Sequence, residues 1–218
     1  MKVFVIGANG HIGRLISEQL ASAGVSVVAG IRKPEQAAFF EDRQIKTAHI
    51  DLLGRPEEMG VTLDGFDAVI FTAGSGGKTG DDMTLLIDLD GAVKSMQAAQ
   101  IAGIKRFVLV SALFAENRNR WSEAIKPYYA AKFYADEWLR YRTNLDYTII
   151  EPGALTFDAG VGKIETAGIE GGSIAREDVA SAVVASLSEP ATIKKTISMV
   201  TGETPIAEAL KKELNDLV

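Results

Sequence analysis

The sequence contains no cysteine, which excludes disulfide bonds, thiolate zinc sites and cysteine nucleophiles. Its two histidines, His11 and His49, lie far apart in the chain and predict no metal site. Proline is scarce, at 6 residues, whereas glycine is common, at 21. No apolar run approaches the roughly 20 residues that a membrane-spanning helix needs. We therefore expect neither a metal centre nor a membrane partner.

Basic residues are also fewer than acidic ones, at 23 against 29, which gives a net charge of −6. This balance argues against a nucleic-acid partner, which usually requires a basic face. The first apolar run ends at Gly7, too early for the apolar core of a secretion signal. The sequence therefore predicts a cytoplasmic location. Its length of 218 residues is suited to a single globular domain.

Short apolar runs alternate with helical patterns along most of the chain. The predicted strands are residues 2–6, 25–31, 45–50, 67–72, 106–111 and 146–150. The predicted helices are residues 11–23, 34–40, 82–102 and 126–142. Nearly continuous apolar strands are typical of a parallel sheet covered on both faces. We therefore predict a doubly wound α/β fold in one domain over residues 1–218.

The last third of the chain is less regular. Residues 160–172 are rich in glycine and contain short strand-like pieces. Residues 173–187 predict a helix, residues 192–200 a strand and residues 204–217 a closing helix. We expect residues 154–175 and 190–218 to complete the substrate side of the same domain.

A glycine loop joins the first predicted strand to the first predicted helix. Gly7 allows a tight turn, Gly10 lets a ligand approach the backbone, and Gly13 lets helix and strand pack closely. The helix that follows presents free N–H groups, which bind phosphate. In this strand–turn–helix context, the loop predicts a dinucleotide-binding site.

The end of the second predicted strand indicates which dinucleotide is bound. An acidic residue there would bind the ribose 2′-hydroxyl of NAD, whereas a basic residue binds the 2′-phosphate of NADP. This chain has Arg32 and Lys33 and no acid. The sequence therefore favours NADP over NAD. The alternative is that both side chains are solvated loop charges.

Tyr128 and Lys132 are four residues apart in a predicted helix and share one face. A phenol has an ordinary pKa near 10, and a neighbouring ammonium group stabilises its anion. Tyr128 is then able to exchange a proton with a carbonyl oxygen as hydride moves. The alternative is that Tyr128 packs in the core while Lys132 is a solvated helix charge.

These motifs together resemble the atypical short-chain dehydrogenase/reductase family, near its NmrA-like and biliverdin/flavin-reductase-like branch. The resemblance spans nearly the whole chain and is carried by residues 7–13, 51–52, 72–74, 108–111, 128–132 and 146–153. It implies a Rossmann fold with NADP, or less favourably NAD, as the cofactor.

The resemblance also implies roles for individual residues. The implied catalytic residues are Tyr128, Lys132 and Ser111. The implied cofactor-binding residues are Gly7, Asn9, Gly10, His11, Ile12, Gly13, Arg32, Lys33, Asp51, Leu52, Thr72, Ala73, Gly74, Lys132, Pro152 and Gly153. Asp51 would accept from the adenine amino group, although a turn cap is the alternative role for this residue.

Two positions depart from the family pattern. Leu113 stands where a helper Ser or Thr is usual, and Glu151 stands where Arg commonly precedes the Pro-Gly pair. A carboxylate in place of a guanidinium reverses the local charge, which alters either the substrate preference or the internal ion pairing.

The sequence and the resemblance together predict an oxidoreductase. It would pass hydride between NADPH and a small carbonyl, quinone or flavin-like acceptor, as a monomer or a homodimer. The alternative is an NmrA-like redox sensor that binds the dinucleotide and acts through a protein partner. A third possibility, an epimerase or dehydratase with retained NAD, is disfavoured by Arg32 and Lys33 and by the short C-terminal part.

Overall fold

The computed structural model describes residues 1–77 and 79–212. In chain order its strands are β1 (Lys2–Ile6), β2 (Ser26–Ile31), β3 (Lys46–His49), β4 (Ala68–Phe71), β5 (Arg106–Val110), β6 (Asp146–Pro152), β7 (Ala154–Thr156), β8 (Lys163–Glu165), β9 (Ser173–Ala175), β10 (Lys195–Thr201) and β11 (Thr204–Pro205). Its α-helices are α1 (His11–Ser22), α2 (Ala37–Glu41), α3 (Pro56–Thr62), α4 (Asp81–Met83), α5 (Ala92–Ile101), α6 (Lys126–Arg142), α7 (Arg176–Ser186) and α8 (Ile206–Ala209).

Nine of these strands form one sheet in the order β11-β8-β10-β6-β5-β4-β1-β2-β3. All neighbouring pairs from β10 to β3 are parallel, whereas β8 pairs antiparallel with β10 and β11. Strands β7 and β9 form a separate two-stranded parallel ladder. The chain thus forms the predicted doubly wound sheet, and the strand order reverses between β1 and β4. Doubly wound folds bind ligands at this point, beside the carboxyl ends of the strands.

Helices cover both faces of the sheet, which explains the uninterrupted apolar strands. In β1, Val3 and Val5 pack into one core cluster, which also contains residues of α1 and α7. The alternate residues, Phe4 and Ile6, pack into a second cluster with residues of α5 and α6. All four side chains are fully buried. Since successive strand residues point to opposite faces, both must be apolar when both faces are covered.

The predictions for the last third of the chain are partly wrong. The predicted helix over residues 173–187 begins only at Arg176, because Ser173–Ala175 forms β9 and pairs with β7. Of the predicted closing helix over residues 204–217, the described residues 204–212 form only α8, since residues 204–205 form β11. Residues 213–217 of that prediction lie outside the described residues. Helix α3 was not predicted at all.

The predicted helix over residues 82–102 is interrupted by a π-helical segment, Thr84–Gly91, between α4 and α5. The wider π turn carries Asp88 to the inside, where it is 2% exposed. Its Oδ2 accepts a hydrogen bond from the backbone N–H of Ser75 at 2.9 Å. Short π segments often occur at functional sites, and Asp88 borders a cavity described below.

Within residues 1–77 and 79–212, no helix has both the length and the apolar character needed to cross a membrane. The same residues contain no cluster of three or more His, Asp or Glu side chains arranged to hold a metal ion.

Arg106 connects the far end of the sheet to the helix layer. Its Nη1 donates to the carbonyl of Asp146 at 2.8 Å, and its Nη2 donates to the Thr148 hydroxyl at 2.7 Å and to the carbonyl of Ser186 at 2.6 Å. Burial lowers the pKa of Arg106 to about 10, so the group stays charged at neutral pH. The guanidinium thus ties β5 to β6 and to the end of α7.

We predict that Arg106→Met lowers the free energy of unfolding by about 2–4 kcal/mol, because it leaves several buried acceptors without a donor. Urea unfolding measures the change. Arg142→Met is the control, since Arg142 is exposed at the end of α6. Equal stability of the two variants would contradict the structural role of Arg106.

Candidate functional site

Two adjoining cavities lie along the carboxyl ends of the parallel strands. The Arg32 cavity lies beside β1 and β2, and its wall includes Gly7, Arg32 and Asp51. The Tyr128 cavity lies beside β4, β5 and β6, and its wall includes Tyr128. The residues common to both walls are Gly10, Thr72, Ala73, Gly74, Ser75 and Thr79. The two cavities therefore form one elongated crevice across the point where the strand order reverses.

The Leu113 cavity adjoins the Tyr128 cavity on the side away from the glycine loop. Tyr128 and Ser111 border both cavities. The wall of the Leu113 cavity is otherwise mostly apolar and includes Leu113, Phe114, Ile125, Tyr129, Leu155 and Gly153. It offers an apolar space directly next to the predicted catalytic pair.

Glycine occupies the three loop positions for different structural reasons. A Cβ on Gly7 would lie 2.5 Å from the backbone nitrogen of Ala73, and its φ is +82°. A Cβ on Gly13 would lie 2.3 Å from the carbonyl oxygen of Gly7. Gly10 is different, since its nearest contact would be 3.3 Å, yet it borders both cavities. Gly7 and Gly13 are thus needed for packing, whereas Gly10 leaves room for a ligand.

Helix α1 presents free backbone N–H groups to the crevice. It begins at His11, and no side chain caps its first turn. The first N–H groups of a helix have no partner within the helix and are suited to a phosphate. Arg14 holds the loop by donating from Nη2 to the Asn9 Oδ1 at 2.7 Å.

Arg32 lies at one end of the crevice, where β2 ends. The backbone N–H groups of Arg32 and Lys33 both donate to the Gln36 Oε1, at 2.9 and 3.1 Å. The Arg32 side chain is exposed and borders the cavity, whereas Lys33 lies outside the three cavities with its Nζ 3.8 Å from Glu35. Asp51 borders the cavity and also accepts from the Leu53 N–H at 2.9 Å, so it caps a turn as well.

Lys132 lies at the other end of the crevice and is 2% exposed. Its Nζ donates to the carbonyl oxygen of Val110 at 2.6 Å. Burial lowers the pKa of Lys132, while the nearby carboxylates of Asp88 and Asp136 act in the opposite direction. Lys132 is therefore a buried side chain of the site, and its alternative as a solvated helix charge is wrong.

Tyr128 keeps its proton in this environment. Burial raises the pKa of the phenol well above its ordinary value, and the charges of Asp88 and Asp136 raise it further. The sequence predicted that Lys132 would stabilise the phenolate, but the two carboxylates oppose that effect. At neutral pH the side chain is thus a neutral phenol, which is a proton donor.

Ser111 forms a hydrogen bond to a side chain of α6. Its hydroxyl donates to the Asp136 Oδ2 at 2.6 Å, and both side chains are buried. Burial raises the pKa of Asp136 to about 6, although Lys132 and the Ser111 hydrogen bond act against the rise. Asp136 follows Lys132 by one helical turn, so the same face of α6 supplies the phenol, the ammonium group and this carboxylate.

The two departures from the family pattern have different consequences. Leu113 is buried and forms part of the apolar cavity wall. Glu151 borders none of the three cavities and is 1% exposed. Its Oε2 accepts from the Ser198 hydroxyl at 2.8 Å, and its Oε1 has no partner. Glu151 therefore does not line the cavity walls, and its described partner is a hydroxyl rather than a cation.

Most of the predicted site residues lie together. Those that border the Arg32 or Tyr128 cavity are Gly7, Asn9, Gly10, His11, Ile12, Arg32, Asp51, Leu52, Thr72, Ala73, Gly74, Ser111, Tyr128, Lys132 and Pro152. Gly153 borders only the Leu113 cavity, while Gly13 and Lys33 border none of the three.

Sequence reasoning missed Gln36, Asp88, Asp136 and Arg176. The Asp136 position had a signal, since it follows Lys132 by four residues on the same helix face. The sequence signal for Gln36 was weaker: it lies three residues after Lys33, in a turn that begins with proline. Asp88 and Arg176 had none, because the π segment and the start of α7 determine where they point.

The crevice fits a nicotinamide dinucleotide. It offers the exposed Arg32 at one end, the uncapped start of α1 beside Gly10 in the middle, and the Tyr128–Lys132 pair at the other end. These features match in order the adenosine ribose, the pyrophosphate and the nicotinamide of an extended dinucleotide.

Comparison with known proteins leads to the same class. A family described as NAD(P)H-binding matches residues 7–190. The chain therefore belongs to this family, and its neighbours support the predicted atypical short-chain dehydrogenase/reductase branch. It is 53% identical over 214 residues to a Bacillus subtilis protein named uncharacterized sugar epimerase YhfK, covering 97% of this chain and 100% of that one.

Two solved structures show how far the fold is shared. The oxidoreductase YlbE of Lactococcus lactis has a TM-score of 0.91 and 41% identity, covering 98% of this chain and 97% of that one. ChuY, an anaerobilin reductase of Escherichia coli O157:H7, has a TM-score of 0.80 and 23% identity, covering 93% and 98%. The second likeness shows the fold alone.

Glu151 generates a prediction about pH. Burial, and then the charge of Asp136, raise the pKa of Glu151 to about 8, although Ser198 and Arg140 act against the rise. The folded state therefore holds a proton that the unfolded chain releases near its ordinary pKa of about 4.3. Glu151 consequently makes stability fall as the pH rises to about 8, and above pH 6 Asp136 no longer adds to the fall.

We predict that Glu151→Gln removes at least about 1.4 kcal/mol of the stability loss between pH 6 and 8, the equivalent of one pKa unit. Chemical unfolding at several pH values measures this. Glu57→Gln, at an exposed position in α3, is the control and should keep the wild-type pH dependence. An unchanged slope in Glu151→Gln would mean that Glu151 is charged in the folded protein.

Proposed function

We propose that this protein is an oxidoreductase that transfers hydride from NADPH to a small carbonyl, quinone or flavin-like acceptor. The observation that carries the proposal is that Tyr128 and Lys132 lie together at the end of the crevice opposite Arg32. A neutral phenol with a buried ammonium group beside it can act as the general acid that protonates a carbonyl oxygen during reduction.

Each part of the dinucleotide has matching residues in this chain. Arg32 would bind the 2′-phosphate with its forked donors. The loop from Gly7 to Gly13 and the first turn of α1 would bind the pyrophosphate. Pro152, Gly153 and Lys132 would border the nicotinamide and its ribose. When bound, the reduced nicotinamide supplies the hydride.

The proton comes from Tyr128. As hydride adds to the carbonyl carbon, the oxygen gains negative charge and takes the phenolic proton, so a carbonyl becomes a hydroxyl. The raised pKa of Tyr128 keeps the phenol protonated at neutral pH before the reaction. Lys132, held by the Val110 carbonyl, would stabilise the resulting phenolate.

The Leu113 cavity favours an apolar acceptor. Leu113, Phe114 and Leu155 contribute aliphatic and aromatic surface next to Tyr128. A strongly charged or highly hydroxylated substrate would lose its hydration there without gaining partners from these side chains. A quinone, a flavin-like ring or an aromatic carbonyl compound is better suited to this surface.

The names of relatives suggest different reactions. The oxidoreductase YlbE, at 41% identity, is in line with hydride transfer. The sugar epimerase name of YhfK suggests an alternative in which the cofactor is oxidised and reduced again within one cycle. The redox-sensor alternative needs binding without turnover. Net oxidation of NADPH with an added acceptor supports the proposal, an unchanged cofactor with an epimerised sugar supports the second, and binding alone supports the third.

We further propose a cytoplasmic enzyme that works as a monomer or a homodimer on a small molecule. The absence of cysteine is compatible with a reducing compartment, and the net charge of −6 argues against a nucleic-acid partner.

We predict that Tyr128→Phe lowers turnover at least tenfold while the Kd of NADPH changes less than twofold, because only the transferable proton is lost. Acceptor-dependent oxidation of NADPH and a fluorescence titration measure the two quantities. Tyr141→Phe is the matched control, since Tyr141 is 73% exposed on the same helix. Unchanged turnover in Tyr128→Phe would remove Tyr128 from the catalytic step.

We predict that the protein binds NADPH at least tenfold more tightly than NADH, and that Arg32→Ala abolishes this difference by removing the partner of the 2′-phosphate. Parallel titrations with the two cofactors measure it. Arg55→Ala is the control, because Arg55 is exposed and borders none of the three cavities. A wild-type preference for NADH would contradict the role of Arg32.

A further inference from the structure

Arg176 places a second cation inside the crevice, far in sequence from the glycine loop. It is the first residue of α7 and borders the Tyr128 cavity. Its Nη1 is buried and has no hydrogen-bond partner. A buried N–H donor without an acceptor is unfavourable, and native proteins seldom keep one. The missing acceptor is therefore expected to come from a ligand in the cavity.

The two acids that follow Arg176 are already engaged elsewhere. The Glu177 Oε2 accepts from the Gly160 N–H at 2.9 Å. Asp178 accepts from the N–H groups of Val161 and Gly162, at 2.9 and 2.8 Å. These bonds fix the backbone of the loop before β8. Neither acid forms an ion pair with Arg176, so its charge is available to a ligand.

Aromatic contacts connect the guanidinium to His11. The Arg176 Cζ lies 3.9 Å from the centre of the Phe157 ring. The Phe157 ring in turn meets His11 edge to face, with 5.0 Å between ring centroids. His11 is the first residue of α1. The stack of His11, Phe157 and Arg176 thus connects α7 to the helix end that is suited to phosphate.

The position of Arg176 distinguishes two possible anions. An acidic group on the substrate would be expected next to the Leu113 cavity, but Arg176 does not border that cavity. Arg176 borders the Tyr128 cavity, whose wall runs from Gly10 to Tyr128, and its contact with Phe157, which meets His11, places it toward the glycine-loop end. A guanidinium matches the geometry of phosphate oxygens and binds them with paired hydrogen bonds.

We propose that Arg176 binds the pyrophosphate of the dinucleotide and completes, from α7, the anion site that the glycine loop begins. This inference rests on the proposed cofactor but not on hydride transfer. It makes the C-terminal part of the chain a direct contributor to cofactor affinity. Phe157 and His11 act as positioning residues for the guanidinium.

The test measures binding to the purified full-length chain, without an acceptor. The variants are Arg176→Gln, Arg176→Lys and the control Arg43→Gln. Arg43 has the same cation–aromatic geometry, with its Cζ 3.8 Å from the Phe39 ring centre, but borders none of the three cavities. The probes are NADPH, the 2′-phosphate of ADP-ribose, which keeps the pyrophosphate but lacks nicotinamide, and 2′-AMP, which lacks the pyrophosphate.

We expect Arg176→Gln to raise the Kd of NADPH and the Kd of the 2′-phosphate of ADP-ribose by the same factor, at least tenfold. The Kd of 2′-AMP should change less than twofold. Unchanged 2′-AMP binding also shows that the adenosine end is folded in the variant. Arg176→Lys should fall between Arg176→Gln and wild type, because it keeps the charge but loses the fork. Arg43→Gln should bind all three probes like wild type.

Three results would overturn the inference. Wild-type affinity of Arg176→Gln for NADPH would leave the proposed cofactor intact and remove Arg176 from its site. If Arg176→Gln lost affinity for NADPH but not for the 2′-phosphate of ADP-ribose, Arg176 would contact the nicotinamide end of the cofactor instead of the pyrophosphate. A wild-type protein that fails to bind NADPH would overturn the proposed cofactor together with this inference.

Discussion

The end of β1 lies so close to the end of β4 that no side chain fits between them. A Cβ on Gly7 would lie 2.5 Å from the Ala73 nitrogen, and the loop leaves the strand with a φ of +82°. This close approach turns the chain into α1 at the point where the strand order reverses. The free N–H groups of α1 and the crevice beside it both depend on that turn. Gly7 is therefore the constraint on which the site is built.

The charges behind Tyr128 form a second level of organisation. The buried Lys132 is held by the Val110 carbonyl and lies near two carboxylates, one from α6 and one from the π segment. Ser111 is bound to Asp136 rather than to a helper hydroxyl, since Leu113 occupies that position. This arrangement keeps the phenol of Tyr128 protonated. This neutral phenol is the group that we propose as the proton donor.

Local patterns were sufficient for the fold and for most of the crevice. The apolar runs predicted the parallel strands because both faces of the sheet are covered, as the alternate packing of Val3 and Phe4 shows. The glycine spacing predicted the turn because the contacts that require glycine there are close at hand. A Cβ on Gly13 would meet the backbone of the same loop, and a Cβ on Gly7 would meet the backbone that follows β4. The end of the second apolar run predicted the position of Arg32, which directly follows β2.

The remaining features depend on contacts that no local pattern encodes. Asp88 points inward because a π segment shifts the helix register. Arg176 enters the crevice because Ser173–Ala175 pairs with β7, which delays the start of α7 to residue 176. Glu151 is turned away from the cavities toward Ser198, a contact across 47 residues of chain. Each of these outcomes is decided by tertiary packing rather than by propensity.

A crystal structure of the protein with NADP⁺ would show directly whether the crevice binds the dinucleotide in a position suited to hydride transfer. We expect one extended dinucleotide along the crevice, with its 2′-phosphate at Arg32, its pyrophosphate at the start of α1 and its nicotinamide beside Tyr128. A dinucleotide bound with its nicotinamide in solvent, away from Tyr128 and Lys132, would contradict a role in hydride transfer. Binding outside this crevice would contradict both the proposed cofactor site and the proposed reaction.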